Sequence, residues 1–133
     1  MKLLYPARFI PLEDKNSGYT VVFPDLPGCV TEGDSLAEAI EMAVDAASGW
    51  ILDELEDEKT PPAATSIQEI RKEAENEIVN IIVLNISKYA EKHGKKAVRK
   101  NCTLPSWLNE RAEKEGINFS AVLQEALIAK LNI

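Results

Sequence analysis

Two stretches near the start of the chain, Leu3 to Ile10 and Gly18-Tyr19-Thr20-Val21-Val22-Phe23, are apolar and bounded by polar residues, and each predicts a strand. The run Glu13-Asp14-Lys15-Asn16-Ser17-Gly18 between them predicts a polar hairpin connection. Pro24 and Pro27 break the ladder over Pro24-Asp25-Leu26-Pro27-Gly28, and Cys29 to Gly33 is long enough for a short third strand, giving a meander. The period then changes. Ser35-x-x-Glu38 is a capping box, and behind it Leu36, Ile40, Ala43, Ala47, Ile51 and Leu55 recur every three or four residues, which predicts one buried face of a long helix reaching about Glu58. Thr60-Pro61-Pro62 stops it.

Ser66-x-x-Glu69 repeats the capping pattern and predicts a short helix through Glu77. Ile78 to Ile86 is too continuously apolar and β-branched for a one-sided strand, so a central strand or one buried on both faces is expected. Residues 88–97 hold few apolar side chains and several lysines, the composition of a linker. A different pattern begins at Val98. Arg99 to Thr103 predicts a short strand, Pro105 the first position of a helix to Glu115 stopped by Gly116, and Asn118 the cap of a last helix. Phe119, Val122, Leu123, Ala126, Leu127 and Leu131 form the apolar stripe of that helix. Strand, helix and helix in about 36 residues fall below the roughly 40 residues that fold unaided. A partner chain supplying a second strand and a second stripe is therefore expected.

Length and composition narrow the picture. At 133 residues, 45% hydrophobic and 28% charged, the chain can bury a core but is too short for a large multidomain enzyme. Cys29 and Cys102 stand far apart, so neither a disulfide framework nor a zinc site assembles from one protomer, and a reducing cytoplasm is expected. The longest fully apolar run is Ile81 to Leu84, and no exported or membrane-spanning segment is expected. The net charge of −7 is divided unevenly. Residues 1–87 hold 6 Lys and Arg against 17 Asp and Glu, a net of −11, whereas residues 88–133 hold 9 against 5, a net of +4. The two parts should meet different partners, because an acidic surface repels phosphate and attracts basic protein while a basic module does the reverse.

Gly18 to Asp34, followed by Leu36-x-x-Ala39 and the long helix, closely resembles the N-terminal domain of HicB-type antitoxins. The tail, Asn101-Cys102-Thr103-Leu104-Pro105-Ser106-Trp107-Leu108 through Gly116-Ile117-Asn118-Phe119-Ser120, resembles the ribbon-helix-helix module that many members carry. The resemblance implies an α+β chain: a partial ribonuclease-H-like toxin-binding domain over 1–87, with a small antiparallel sheet and a long helix, joined by the linker to a dimeric DNA-binding module over 98–133. It implies an antitoxin, not an enzyme, that needs no cofactor, occludes a small HicA-type RNA-cleaving toxin, and represses its own operon. A homodimer is expected through the module, and a tetramer if dimers pair. One departure is Lys100, at a strand position where the module usually buries an apolar residue.

In a paired ribbon, side chains alternate, so Arg99, Asn101 and Thr103 face outward together when Cys102 and Leu104 face the core. Such a face suits the major groove, where Arg pairs with guanine, Asn with adenine, and Thr with base, methyl or phosphate; a solvated edge strand is the plainer alternative. Phe119 and Ser120 open the last helix, and by the resemblance their main-chain amides clamp phosphate, with charge added by Lys95, Lys96 and Lys100. Asp53, Glu54, Glu56, Asp57 and Glu58 crowd a helix C-terminus where the macrodipole disfavours anions, and are candidates to meet a basic toxin, or else a solubilising end. Asp25, Glu32 and Asp34 are acidic enough for a shared metal, but turn and cap roles explain Asp25 and Asp34 more cheaply; Trp50 and Trp107 are read as core, and the single His93 as lacking any nucleophile to serve. Two competitors stay open: a solitary ribbon-helix-helix regulator with a sensing N-domain, and a nuclease using the acidic residues.

Overall fold

The computed structural model describes residues 1–13, 17–94 and 97–132; Asp14, Lys15 and Asn16 of the expected hairpin, and Lys95 and Lys96 of the expected linker, lie outside them. The chain divides into two compact units, Met1–Gly94 and Lys95–Ile133.

The first unit is α+β. Strands β1 (Lys2–Pro11), β2 (Tyr19–Val22), β3 (Val30–Gly33) and β4 (Ile78–Asn85) form one antiparallel sheet in the order β3-β2-β1-β4. β1 to β3 make the expected meander, with Phe9 opposite Val21 and Val21 opposite Thr31. Tyr5, Ala7 and Phe9 on β1, with Val21, Phe23, Ile82 and Leu84, build the sheet side of the core. The central place belongs to β1, which pairs on both sides, and β4 is an edge strand. The expectation for β4 was wrong because only one of its faces is covered: Ile82 and Leu84 are buried, whereas Ile81 is 41% and Val83 55% exposed.

Helix α1 (Leu36–Glu56) covers the sheet. Its capping box closes as expected, with Ser35 Oγ accepting from the Glu38 amide at 3.1 Å and the Glu38 carboxylate accepting from the Asp34 amide at 3.3 Å. The buried stripe is Ala39, Ala43, Ala47 and Ile51, joined by Ser48 and Leu52. Leu36 and Ile40, expected inside, lie exposed on the flank, because methyl-sized side chains bring the helix close to the aromatic rings of the sheet while longer ones would hold it off. Trp50 is half-buried and donates its indole N–H to the Pro27 carbonyl at 3.0 Å. The helix ends at Glu56, and Glu58 takes a left-handed φ of 62° beyond it.

From 59 to 77 the chain crosses the outer side of the sheet as a strap. The helix expected from Ser66 to Glu77 does not form; one 3-10 turn, Ile67–Glu69, is all that develops. The physical reason lies in two side chains. Ser66 Oγ turns to Gln68 Oε1 instead of capping, and the Glu77 carboxylate accepts from the amides of Glu73 at 3.0 Å and Ala74 at 2.9 Å, donors that a helix would need. The strap is tied by Tyr5 Oη donating to the Pro62 carbonyl (2.6 Å), by Asp25 accepting from the Thr65 amide (2.9 Å), and by Arg8 Nε donating to Glu77 Oε1 (2.8 Å).

After β4 the chain forms α2 (Ile86–His93), where the lysine-rich composition had suggested a linker. Asn85 caps it, accepting from the Lys88 amide at 3.2 Å; Ile86 enters the core, and Met1 donates from its ammonium to Ser87 Oγ at 2.9 Å. Tyr89 lies against α1 at Gly49, where a Cβ would approach its hydroxyl to 3.0 Å. The first unit thus runs through Gly94.

The second unit holds α3 (Ser106–Lys114) and α4 (Phe119–Leu131). Pro105 stands one place earlier than expected, as the N-cap of α3, and Gly116 at φ 66° ends that helix with the Ile117 amide donating to the Ala112 carbonyl at 3.0 Å. Asn118 caps α4, accepting from the Ala121 amide at 3.1 Å. None of the described residues of this unit is buried. No helix among the described residues is long and apolar enough to cross a membrane.

Candidate partner-binding surfaces

The second unit is best understood from its exposed apolar side chains. Leu104, Trp107, Leu108, Phe119, Val122, Leu123, Leu127 and Leu131 are all at least 39% exposed, and Trp107, expected in a core, is 65% exposed. Removing such a stripe from water is worth about 1.5 to 3 kcal/mol per large side chain, so this face is a candidate surface for a partner. Beside it lies an open groove of about 480 Å³, lined by Lys100, Cys102, Leu104, Phe119, Leu123 and Ala126. The groove separates the segment before α3 from α4.

Arg99, Asn101 and Thr103 stand in that segment, all exposed, with Lys100 and Cys102 between them. Residues 97–105 carry no strand in the single chain. A two-stranded ribbon needs a second segment to complete its ladder, and none of the described residues pairs with this one. Phe119 and Ser120 form the first turn of α4, and because Asn118 takes the Ala121 amide, their own amides point out from the helix start.

The acidic candidates lie in the first unit, around the close of α1. Asp53, Asp57 and Glu58 are exposed, Glu54 and Glu56 half-buried, and Lys59 Nζ approaches Glu54 Oε1 at 3.7 Å. The tight end brings them together, with the Asp57 amide donating to the Asp53 carbonyl (3.0 Å) and the Lys59 amide to the Glu54 carbonyl (2.9 Å). No basic residue occurs anywhere in α1. Burial first, then the charges of Asp45 and, from this cluster, Asp53, push the Tyr89 hydroxyl pKa upward. His93 stacks on Tyr89 with ring centroids 4.3 Å apart.

Asp25 lies in the expected turn, closed by the Leu26 amide donating to the Phe23 carbonyl at 3.2 Å, and its carboxylate also holds Thr65 of the strap. Glu32 is exposed on β3, and Asp34 precedes the α1 cap. Sequence reasoning missed the Arg8–Glu77 pair. Burial raises the Glu77 carboxyl pKa, but the hydrogen bond from Arg8, the amides of Ala74 and Glu73, and the Arg8 charge outweigh it and hold the group below the ordinary carboxylate range. A lone arginine within the otherwise apolar Leu3–Ile10 stretch was the available signal. It missed too the outward apolar set of Leu4, Ile81 and Val83, since continuous apolarity reads alike for a doubly buried strand and for one with an uncovered face.

An α+β body with its own core, followed by a helical arm whose apolar face is wholly exposed, defines a two-part binding protein. The sequence profile described as the HicB_like antitoxin of bacterial toxin-antitoxin systems matches residues 5–127, and the chain belongs to this family of antitoxins. A 14.9 kDa protein from the rep-hol intergenic region of Haemophilus phage HP1 (strain HP1c1) is 33% identical over 114 residues, covering 84% of this chain and 80% of the phage protein. Among solved structures, a chain of a toxin–antitoxin complex from Streptococcus pneumoniae superposes with a TM-score of 0.61 at 24% identity, covering 98% of this chain and 99% of that one. A chain of the HicA3 and HicB3 toxin–antitoxin complex does so with a TM-score of 0.50 at 19% identity, over 62% of this chain and 99% of its own length.

Proposed function

We propose that this antitoxin neutralises a HicA-type RNA-cleaving toxin by covering it with its acidic N-terminal unit, and represses its own operon by binding operator DNA through a dimer of its C-terminal unit in the cytoplasm. The observation that carries the reading is the C-terminal unit itself: two helices without a buried residue among those described, preceded by a segment outside helix and strand that presents Arg99, Asn101 and Thr103. Two copies folded together, as in a ribbon-helix-helix module, bury both stripes and pair both segments, and the resulting ribbon fits a major groove. Phe119 and Ser120 amides, with Lys100, then anchor phosphates, while the three alternating side chains read bases. The sheet order of the N-terminal unit suits a partial ribonuclease-H-like fold used as a binding platform.

Toxin inhibition needs no chemistry from this chain. RNA-binding surfaces are basic, and the carboxylates of Asp53, Glu54, Glu56, Asp57 and Glu58 offer a complementary edge that steers encounter and competes with message. Two solved chains of similar fold come from toxin–antitoxin complexes, which supports a toxin partner here.

The test separates the two units. Residues 1–94, which contain a complete core, are expected to co-purify with a co-expressed HicA-type toxin and to rescue cells from it, but not to shift operator DNA. In the full chain, Arg99→Ala or Asn101→Ala is expected to weaken operator binding by about 1 to 3 kcal/mol and relax base preference while leaving toxin capture unchanged. Wild-type affinity and selectivity in both variants would remove the reading face. A folded 1–94 fragment that fails to hold the toxin would move neutralisation to the tail.

A further inference from the structure

The positive charge of the C-terminal part is concentrated in one stretch. Residues 88–100 hold Lys88, Lys92, Lys95, Lys96, Arg99 and Lys100 against Glu91 alone, a net of +5, whereas residues 101–133 hold three Lys and Arg against four Glu, a net of −1. A duplex is therefore attracted to the residues before α3 and gains nothing from the net charge of those after them. The stretch also begins inside the first unit, because Lys88 and Lys92 belong to α2. Spaced by four residues, they share one face of that helix; both are exposed, and neither has a carboxylate within ion-pair distance among the described residues. With Tyr89 and His93, whose stacked rings lie 4.3 Å apart, they line an open pocket of about 530 Å³. The helix itself is fixed: Ile86 enters the core, Ser87 Oγ accepts from the Met1 ammonium at 2.9 Å, and Tyr89 lies against Gly49.

We propose, resting on the operator-binding reading above, that Lys88 and Lys92 grip the phosphate backbone of the DNA whose bases Arg99, Asn101 and Thr103 read, which makes α2 of the N-terminal unit part of the nucleic-acid interface. Covalent geometry sets the reach. From Gly94 to Arg99 is five residues, at most about 18 Å of extended chain, and a duplex carries one charge per roughly 1.7 Å of axis, so about ten phosphates fall within that length of Arg99. The neighbouring carboxylates select the partner. Glu91 lines the same pocket, and Asp45 and Asp53 of α1 act on Tyr89 beside it, so the cationic surface is one narrow row. Two ammoniums in a row match a phosphodiester strand, whereas a broad acidic protein face would bring its own carboxylates against these three. Lysine contacts to phosphate carry no base preference; they add affinity to any duplex and fix its register on the ribbon. On a unit this acidic two lysines do not hold DNA alone, so they act once the ribbon has brought the duplex within reach. A docked helix presents them already ordered, which lowers the entropy lost on contact.

The salt dependence of binding by the full chain tests this, with a duplex from upstream of its own operon and a scrambled duplex of equal length. Lys88→Ala combined with Lys92→Ala is expected to lower affinity for both duplexes by the same factor. It should also flatten the plot of log K against log salt by about 0.9 for each phosphate released, or about 3.6 when both lysines of a dimer's two copies engage. Arg71→Ala combined with Lys72→Ala removes the same charge from exposed positions of the strap and is expected to leave the slope at its wild-type value. Alanine suits a helix interior, so the circular dichroism of the α2 variant should match the parent. A wild-type slope in the α2 variant, or equal flattening by the strap variant, overturns the contact. If the wild-type chain binds both duplexes equally, the operator reading falls, and a flatter slope of the α2 variant on the scrambled duplex still upholds the contact; binding to neither duplex removes both.

Discussion

α1 and α4 are both apolar helices closed by a side-chain cap at their start, yet one is the spine of a core and the other lies open along its length. The difference is in where the apolar residues fall. α1 concentrates Ala39, Ala43, Ala47 and Ile51 on a line that a sheet of the same chain covers, whereas α4 spreads Phe119, Val122, Leu123, Leu127, Ile128 and Leu131 over a face for which its unit has no counterpart. Helical pattern therefore says that a face will be buried, and only the inventory of remaining elements says whether the same molecule buries it. The first unit is a folding problem solved within one chain; the second leaves its apolar face uncovered in a single copy.

The largest expected effect breaks the second unit alone. Leu123→Asp or Leu127→Asp puts a carboxylate into the proposed dimer face, at a cost of several kcal/mol unless it neutralises, and should leave a monomer by sedimentation with the α3–α4 helical signal lost and the first unit intact. A variant still dimeric and cooperatively folded at micromolar concentration would mean that this face is not the contact. In the first unit, Phe9→Ala should lower unfolding free energy by about 3 to 5 kcal/mol in urea, independently of protein concentration, because its cavity opens inside a single copy. Concentration dependence is the sharper discriminator. The unfolding midpoint of the second unit should rise with protein concentration and that of residues 1–94 should not.

The Arg8–Glu77 pair gives the first unit a pH dependence that the second, with no comparable buried pair among its described residues, should lack. Glu77 is held below its unfolded value of about 4.3, so its contribution is complete above that pH and is lost as pH falls through the lower folded value. Residues 1–94 should accordingly weaken toward urea on acidification below about pH 4.3, and Glu77→Gln should flatten that slope. An unchanged slope would mean that other carboxylates carry it. The smallest expected effect is at the caps: Ser35→Ala should cost about 1 kcal/mol at any protein concentration, whereas Asn118→Ala, of similar size, should show chiefly as weaker dimerisation.

Local signals carried the reading well where the deciding interaction is local. The meander, the capping box at Ser35, the stop before Pro61, the Gly116 turn and the Asn118 cap all depend on residues within a few positions of each other. It failed where distant groups decide. Ser66 and Glu69 look like a helix start, but Glu77, with Arg8 some seventy positions away, takes the amides instead. Lys88 and Lys92 look like a linker, but Ile86 and Tyr89 beside them bind the segment to the core and to α1. Of the surfaces, the exposed α4 stripe was legible from spacing and size together, whereas the uncovered side of β4 was not, because composition does not tell which of two faces receives a neighbour.

The ladder of methyl-sized residues on α1 limits how this domain can drift. Gly33 lies so close under the helix start that any added Cβ would press into the backbone of Ala39. Ala39, Ala43 and Ala47 are fully buried, facing Tyr5, Phe9 and Phe23 across the same core. Volume there is shared, so enlarging a helix residue requires shrinking a ring on the sheet. Substitutions that survive should therefore come in compensating pairs, as Ala43→Val with Phe9→Leu would, while Leu36 and Ile40 on the flank change singly. Tolerance to mutation along one helix is thus set by the spacing between two layers rather than by the hydrophobicity of either.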